Sequence, residues 1–248
     1  MSICFAFITN GTNDHYLKQG IESILNSTMS NFEVIVVGNS KLMTRGVTFV
    51  PFDETQKPSW ITKKKNLVAY LSSKEILVIM HDYFTLTPQW TDESIKSLLS
   101  NEWDVCTATI LNPNGTRYLD WVLWPFSHKF LRIPFIYTLA NLLPYDVTDL
   151  TDFMYVNGSC MIVRKDYFLA NPLDETRGWG EGEDVEWSIR LRETWKLKHF
   201  DQLSICSLKD KGKIFNSADP FSLAYIRAYA FIFRRLPKSI NDWFRIPY

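Results

Sequence analysis

The sequence predicts an α/β fold with a mostly parallel central sheet flanked by helices and a C-terminal helical extension. Apolar runs typical of buried strands alternate with amphipathic helical segments up to residue 110. Such alternation produces right-handed β-α-β units and a parallel sheet. The 248 residues are enough to bury a large core. We therefore predict a catalytic domain at 1–210, with halves at 1–110 and 111–210, and an extension at 211–248.

The predicted elements follow one another closely in the first half. Residues 3–9 form an apolar run that ends at a polar turn, which predicts a buried strand. Apolar residues spaced three and four apart from Leu17 onward predict an amphipathic helix, capped by Asn13 or Asp14. Further strands are predicted at 33–37, 47–51, 76–80 and 105–110, with helices at 60–71 and around 95–99, the latter capped by Thr91 or Asp92.

The alternation of strand and helix patterns ends after residue 110. Residues 111–150 are aromatic and lack a clear period, and a strand pattern returns at 155–163, interrupted by Asn157-Gly158-Ser159. A glycine-rich turn at 178–182 opens a predicted helix at 183–195. We expect a last strand at 200–208 and a helix from Pro220 onward.

Composition excludes several classes of protein. The 27 basic and 27 acidic residues cancel, which argues against general nucleic-acid binding. No uncharged apolar run of about 18 residues and no secretory leader is visible, so we expect a cytoplasmic protein. The four cysteines are widely spaced, which argues against a zinc site. No Ser/His/Asp order, Walker loop or GxGxxG pattern is present.

Polar residues follow three of the predicted strands, as Thr9-Asn10, Gly38-Asn39 and His81-Asp82. In parallel sheets, ligands bind beyond the carboxyl ends of the strands. Asp82 could hold a hard cation that bridges a diphosphate, or it could cap a turn at the strand end. His81 and His199 are candidate metal ligands or ordinary packed histidines.

An acidic turn is the second candidate. Glu181, Glu183, Asp184 and Glu186 place four acids within six residues. Acids in the first turn of a helix are favoured by its dipole, yet a carboxylate there could also act as a general base on a hydroxyl. Trp179, beside two glycines, could stack on a sugar or cover the core.

A run of three lysines, 63–65, precedes Asn66 near the start of a predicted helix. Positive charge at that end opposes the helix dipole. The run could reach a phosphate, or it could be a solvated charged face.

These features together resemble the GT-A glycosyltransferases, especially the family 2-like inverting enzymes. Four segments within residues 3–208 carry the resemblance, in the family's order: Phe5-Ala6-Phe7-Ile8-Thr9-Asn10-Gly11, Glu33-Val34-Ile35-Val36-Val37-Gly38-Asn39, Ile79-Met80-His81-Asp82-Tyr83, and Gly178-Trp179-Gly180-Glu181-Gly182-Glu183-Asp184. The resemblance implies a GT-A fold and transfer of a sugar from a nucleotide-diphosphate sugar to a hydroxyl, with inversion.

The resemblance also implies roles for individual residues. Asp184 would be the base, and Glu183 would orient the acceptor together with Trp179, Gly180, Glu181 and Gly158. The donor would be bound by Thr9, Asn10, Gly11, Asn39, Lys65, Asn66, His81 and Asp82. Asp82, with His199 as a further candidate ligand, would hold Mn²⁺ or Mg²⁺. Where the family usually has a second acid, this chain has Tyr83, so the metal would be held more weakly.

Analogy with these glycosyltransferases is the only guide to the donor nucleotide and the acceptor. UDP is the commonest donor nucleotide in such enzymes, and GDP and dTDP stay open. We expect a glycan or lipid-linked acceptor, as in polysaccharide biosynthesis. The alternatives are a non-catalytic sugar- or lipid-binding protein descended from a transferase and a sugar-nucleotide pyrophosphorylase. The latter needs a Gly-rich, Arg-containing loop after the first strand, which Asn10-Gly11-Thr12-Asn13 does not provide.

Aromatic residues concentrate in two segments, 118–145 and 221–248, which hold 16 of the 37 in the chain. Residues 221–248 also carry five basic residues against Asp242. A basic aromatic helix predicts peripheral membrane contact, and the alternative is a helix packed on the domain. Residues 119–143 could form a flap on the acceptor side or a second membrane patch.

Overall fold

A curled eight-stranded sheet forms the centre of the molecule, as the computed structural model shows for residues 2–125, 128–131, 141–212 and 215–245. Its strand order is β3-β2-β1-β4-β9-β6-β10-β5, and β7 pairs with β8 separately. The strands are β1 Ile3–Thr9, β2 Phe32–Gly38, β3 Val47–Val50, β4 Ile76–His81, β5 Phe84–Leu86, β6 Val105–Leu111, β7 Val122–Leu123, β8 Met154–Tyr155, β9 Cys160–Arg164 and β10 Leu197–Ser207.

Most neighbouring strands of the sheet run parallel. The exceptions are β9, which lies antiparallel between β4 and β6, and the edge strand β5, which is antiparallel to β10. Strands β1, β4, β6 and β10 therefore end at the same edge of the sheet. The mostly parallel α/β fold predicted from the sequence is confirmed.

Helices cover both faces of this sheet. They are α1 Asp14–Leu25, α2 Ile61–Leu71, α3 Asp92–Ser100, α4 Lys165–Ala170, α5 Glu183–Leu191, α6 Pro220–Phe233 and α7 Lys238–Phe244. Side chains alternate between the faces of a strand, so in β1 Phe5 and Phe7 pack in the core under α1 and α3. Cys4 and Ala6 pack in the core under α2, α4 and α5.

Several predicted boundaries differ from the structure. The strand pattern at 155–163 is two short strands separated by a turn, because Asn157 and Gly158 bend the chain. The helix that opens at Glu183 ends at Leu191, and Trp195 packs in the core beyond it. The sequence did not predict β5 and α4, which are only three and six residues long.

The aromatic segment 118–145 contributes mainly to a further core. Trp121, Leu123 and Phe153 pack against the inner face of α6, where Ile226 and Phe233 are buried. This packing is the alternative we considered for the C-terminal helix. Residues 126–127 and 132–140 of the expected flap lie outside the described residues.

The basic residues of the C-terminal segment mostly pair with the domain. Arg227 binds Asp149 at 2.8 Å, Arg234 binds Asp152 at 2.5 Å, and Arg245 binds Glu193. The outer surface of the described part of this segment keeps five exposed large apolar side chains, Phe221, Phe231, Ile232, Ile240 and Trp243. None of the described helices is both long and apolar enough to cross a bilayer.

Candidate active site

A cavity of about 360 Å³ opens at the edge of the sheet where β1, β4 and β10 end. Its walls come from the residues that follow these strands, from the start of α2 and from the glycine-rich loop before α5. The main polar lining residues are Thr9, Asn10, Asn13, Lys64, His81, Asp82, Tyr83, Lys209 and Lys211, and Trp179 closes one side. Ligands of parallel sheets bind at this edge, so the cavity is the candidate active site.

Asp82 is fixed in this cavity by two neighbours from the first strand and its turn. Thr9 Oγ1 donates to Asp82 Oδ2 at 2.7 Å, and Asn13 Nδ2 donates to Oδ1 at 3.0 Å. The Asn13 side chain therefore orients Asp82 and does not cap α1, which the sequence had predicted as one of two possibilities. Both oxygens of the carboxylate have partners, and the residue is only 5% exposed.

Three lysines approach the same cavity. Lys64 is buried and donates to the Thr9 carbonyl oxygen at 2.8 Å and to Glu54. Lys209 and Lys211 are half-buried, and their ammonium groups lie 5.1 Å and 4.0 Å from the centre of the Tyr83 ring. Among the described residues, neither Lys209 nor Lys211 has an ion-pair partner, and both line the cavity together with Asp82.

His81 lines the cavity and also bonds to the segment that holds Asp184. Its Nδ1 contacts the Tyr83 hydroxyl at 3.1 Å, and its buried Nε2 has no hydrogen-bond partner within the described chain. Burial, followed by the charges of Lys65 and Lys211, holds the pKa of His81 well below its usual value. The ring is therefore neutral at physiological pH. Separately, the backbone amide of His81 donates to the Ser159 carbonyl oxygen at 3.0 Å.

Asp184 is held by backbone amides at the start of α5. The amide of Gly158 donates to Asp184 Oδ2 at 2.7 Å, and that of Val185 donates to Oδ1 at 2.8 Å. Burial and the neighbouring Glu183 raise the pKa of Asp184, and Lys65 opposes them. A carboxylate with a raised pKa is suited to general-base chemistry.

Glu183 and Lys65 form a buried ion pair next to this base. The Lys65 ammonium lies 3.1 Å from Glu183 Oε1, with side-chain exposures of 0% and 8%. Gly158 sits against the pair, since a Cβ there would lie 2.8 Å from Glu183 Oε1 and 2.9 Å from Asp184 Cβ. The absence of a side chain at residue 158 thus permits the base and the ion pair to pack together.

The surroundings of Asp184 and the cavity around Asp82 are connected through the backbone. Asp184 does not line the cavity, but its partner Gly158 precedes Ser159, which bonds to His81. Asp184 is therefore linked through Gly158 and Ser159 to His81, which precedes Asp82 in the sequence. The backbone of Gly158 and Ser159 thus connects a buried carboxylate of raised pKa to the strand end that lines the cavity.

Four predicted donor residues lie apart from the cavity. The turn after β1 needs glycine, because Gly11 has a φ of +84° and a Cβ would lie 2.0 Å from the Asn39 carbonyl oxygen. Gly11 and Asn39 do not line the cavity, and Lys65 faces Glu183. Asn66 bonds the Leu173 backbone in both directions and also bonds Glu175, so it anchors the segment before the glycine-rich loop.

The loop before α5 presents Trp179 to the cavity. Its indole is 68% exposed, and its amide donates to the Ser59 carbonyl oxygen at 3.2 Å. Gly180 and Gly182 adopt left-handed backbone conformations, and exposed Glu181 accepts a bond from the Gly178 amide. Trp179 lines the cavity together with Asn10 and Asp82, whereas the resemblance had assigned it to the acceptor.

His199 lies in β10, away from the cavity. Its Nδ1 contacts Thr107 Oγ1 at 2.8 Å, and its ring stacks on Tyr145 with 3.9 Å between centres. Burial lowers its pKa to about 4. The candidate role of His199 as a metal ligand with Asp82 does not agree with this position, because its ring is engaged by the packing between β6 and β10.

The residues around Asp82 provide a divalent cation with one carboxylate, that of Asp82 itself. In the described part of the chain, no three His, Cys, Asp or Glu side chains are grouped so that they could hold one. The remaining residues contain none of these four types. Mg²⁺ is usually held by one or two carboxylates together with waters and the phosphates of a substrate. An ion at Asp82 would therefore depend on a bound diphosphate for further ligands, and Lys209 and Lys211 line the same cavity.

Sequence reasoning missed Asn13 as a partner of Asp82, as well as Lys209 and Lys211. A signal for the lysines was present, since Lys209-Asp210-Lys211 directly follows the last strand. The rule applied to Thr9 and Asp82, that ligands bind beyond the carboxyl ends of strands, would have found them.

Comparison with known proteins identifies relatives by fold alone. No protein-family model matches the sequence, and no curated protein matches it. Solved glycosyltransferases of the GT-A type share the fold, as the resemblance implied. S. aureus TarS 1–349 aligns over 98% of this chain and 68% of that chain, at 12% identity and a TM-score of 0.55.

Two further structures show the same likeness. TarS 1–349 in complex with UDP aligns over 98% of this chain and 69% of that chain, with 12% identity and a TM-score of 0.57. GalNAc-T7 with UDP, GalNAc and Mn²⁺ aligns over 92% of this chain, with 11% identity and a TM-score of 0.59. The chain spans about half of the GalNAc-T7 structure, 48% of its length.

Proposed function

We propose that the protein is an inverting glycosyltransferase that moves a sugar from a nucleotide-diphosphate sugar to a hydroxyl of a glycan or lipid-linked acceptor. The observation that carries the proposal is the position of Asp184, a base with a raised pKa, one short chain of contacts from the cationic cavity around Asp82. The cavity suits a diphosphate, and the base suits a hydroxyl.

The transfer needs one carboxylate base. Asp184 takes the proton of the acceptor hydroxyl while the oxygen attacks the anomeric carbon from the face opposite the diphosphate. A new carbon–oxygen bond forms, and the bond to the diphosphate oxygen breaks with both electrons leaving on that oxygen. Glu183, held by Lys65, keeps a negative charge beside Asp184 and so favours proton uptake.

The donor is proposed to lie along Thr9, Asn10 and Asp82, with Trp179 stacked on its base or sugar. The UDP complexes of two structural neighbours support UDP as the nucleotide. GalNAc-T7 was crystallised with Mn²⁺ as well. Among the described residues that line the cavity, Asp82 is the acid that would hold such an ion.

A panel of nucleotide sugars tests the proposal. Wild type should release nucleotide diphosphate from one donor, and Asp184→Asn should lose at least a hundredfold in turnover because the amide cannot take a proton. Glu186→Gln is the matched control: Glu186 lies two residues away and pairs with Arg190, so its loss should leave turnover within about twofold.

The panel also separates the alternatives. Donor binding without turnover by wild type would favour the non-catalytic sugar-binding protein. Release of sugar phosphate when pyrophosphate is added would favour a pyrophosphorylase. Equal turnover by wild type and Asp184→Asn would reject Asp184 as the base.

We further propose that the outer surface of α6 and α7 contacts a membrane. Phe231 and Ile232 are 57% and 60% exposed, and Trp243 is 62% exposed. Wild type should sediment with anionic liposomes, and Phe231→Ser with Ile232→Ser should reduce this severalfold. These substitutions are cleaner than removal of residues 220–248, which would also remove the core residues Ile226 and Phe233. No sedimentation of wild type would reject the contact.

A further inference from the structure

We propose that Lys209 and Lys211 bind the diphosphate of the donor and supply the positive charge that a divalent cation supplies in a metal-dependent site. This inference rests on the proposed function, since it assumes a nucleotide-diphosphate ligand. It concerns two residues that follow β10 and that the resemblance did not identify.

The charges of the cavity lining support this assignment. The positive side chains are Lys64, Lys209 and Lys211, and Asp82 is the acid. Lys64 is already paired with Glu54, and His81 is neutral. Lys209 and Lys211, which have no ion-pair partner among the described residues, therefore bring two positive charges to a lining whose acid is Asp82. These two charges equal the charge of one divalent ion.

Tyr83 explains how two ammonium groups can be held close together. It stands where the resemblance expects a second acid, and its ring centre lies 5.1 Å from Lys209 Nζ and 4.0 Å from Lys211 Nζ. The electron-rich face of an aromatic ring attracts cations. Tyr83 thus offers a metal no carboxylate at this position and provides a support for two lysines.

The position of the two lysines in the fold agrees with this role. Strands β4 and β10 end at the same edge, and the Leu208 amide donates to the Tyr83 carbonyl oxygen at 2.7 Å. This bond fixes the segment that carries Lys209 next to Asp82. Burial and Lys209 lower the pKa of Lys211, so a bound anion would relieve an existing repulsion.

The two lysines stabilise the leaving group without exchanging protons with it. As the anomeric carbon–oxygen bond breaks, its electron pair stays on the diphosphate, which gains one negative charge. The ammonium groups donate hydrogen bonds to the diphosphate oxygens and keep their protons. The proton of the acceptor hydroxyl goes to Asp184, so charge and protons balance.

Binding of UDP measured by calorimetry, in EDTA and in Mn²⁺, tests the inference directly. Wild type should bind in EDTA within about threefold of its affinity in Mn²⁺. Lys209→Met and Lys211→Met should each weaken binding in EDTA at least tenfold, while Lys211→Arg, which keeps the charge, should stay within about threefold. Lys196→Met is the control, because Lys196 pairs with Glu102 on the surface and should not change binding.

A gain of tenfold or more in UDP affinity from Mn²⁺ would overturn the inference. Wild-type affinity in both Lys209→Met and Lys211→Met would overturn it too. Absence of UDP binding in both buffers would overturn it as well. Thermal unfolding of each variant shows whether it is folded. Donor turnover that requires Mn²⁺ would leave the proposed function intact and reject the lysine site. Lysine-dependent UDP binding without turnover of any donor would reject the proposed function alone.

Discussion

The buried ion pair between Lys65 and Glu183 gives the sharpest prediction about stability. The two charges lie 3.1 Å apart with exposures of 0% and 8%, and at an effective dielectric constant of about 20 their attraction is about 5 kcal/mol. Lys65→Met leaves the Glu183 carboxylate buried without its cation. Removal of one partner of such a pair destabilises a protein by about 3–5 kcal/mol, so we expect a loss in this range.

Urea unfolding followed by tryptophan fluorescence measures this loss. The matched control is Lys196→Met, since Lys196 lies 2.9 Å from Glu102 but the two side chains are 62% and 87% exposed. Exposed pairs contribute about 0–1 kcal/mol. Lys65→Met combined with Glu183→Gln should recover at least half of the loss, because residue 183 then no longer carries a buried charge without its cation. Equal losses for Lys65→Met and Lys196→Met would refute the reasoning.

Two further predictions concern the base. Gly158→Ala should lower the free energy of unfolding by about 1–3 kcal/mol and turnover by about a hundredfold, since its methyl would lie 2.9 Å from Asp184 Cβ. Gly178→Ala, where the nearest atom is 3.4 Å away, should lose less stability, and equal losses would contradict the crowding argument. The value of kcat/KM should rise with pH as Asp184 ionises, with a midpoint above the usual aspartate value of about 3.9. Lys65 lowers the pKa of Asp184, so Lys65→Met should move this midpoint to higher pH, and an unchanged or lower midpoint would argue against Asp184.

The sheet could be predicted because its signals are local. Strands β1, β2 and β4 are continuous apolar runs, and α1 shows a helical period with Leu17, Ile21 and Ile24 buried. Strand β5 escaped prediction because three residues carry no period. Its place in the sheet depends on pairing with β10, more than 100 residues away.

The candidate site was only partly predictable, because its contacts are distant in sequence. Lys64 and Lys65 resembled a solvated run, and only the fold brings Glu54 and Glu183 to them. Likewise, Asp82 could be selected by its place after β4, but Lys211 becomes its neighbour only once β10 is placed beside β6. Local pattern thus identified single residues, and topology supplied their partners.

The anomeric configuration of the product is the decisive measurement for inverting transfer with Asp184 as the base. An acid that acts only as a base gives a single displacement, so the sugar must leave its nucleotide diphosphate with its configuration inverted. Proton NMR of the first turnovers, recorded before the product equilibrates, distinguishes the two anomers. Wild type should give the inverted anomer and Asp184→Asn none above background, whereas a product of retained configuration would contradict a single displacement with Asp184 as the base.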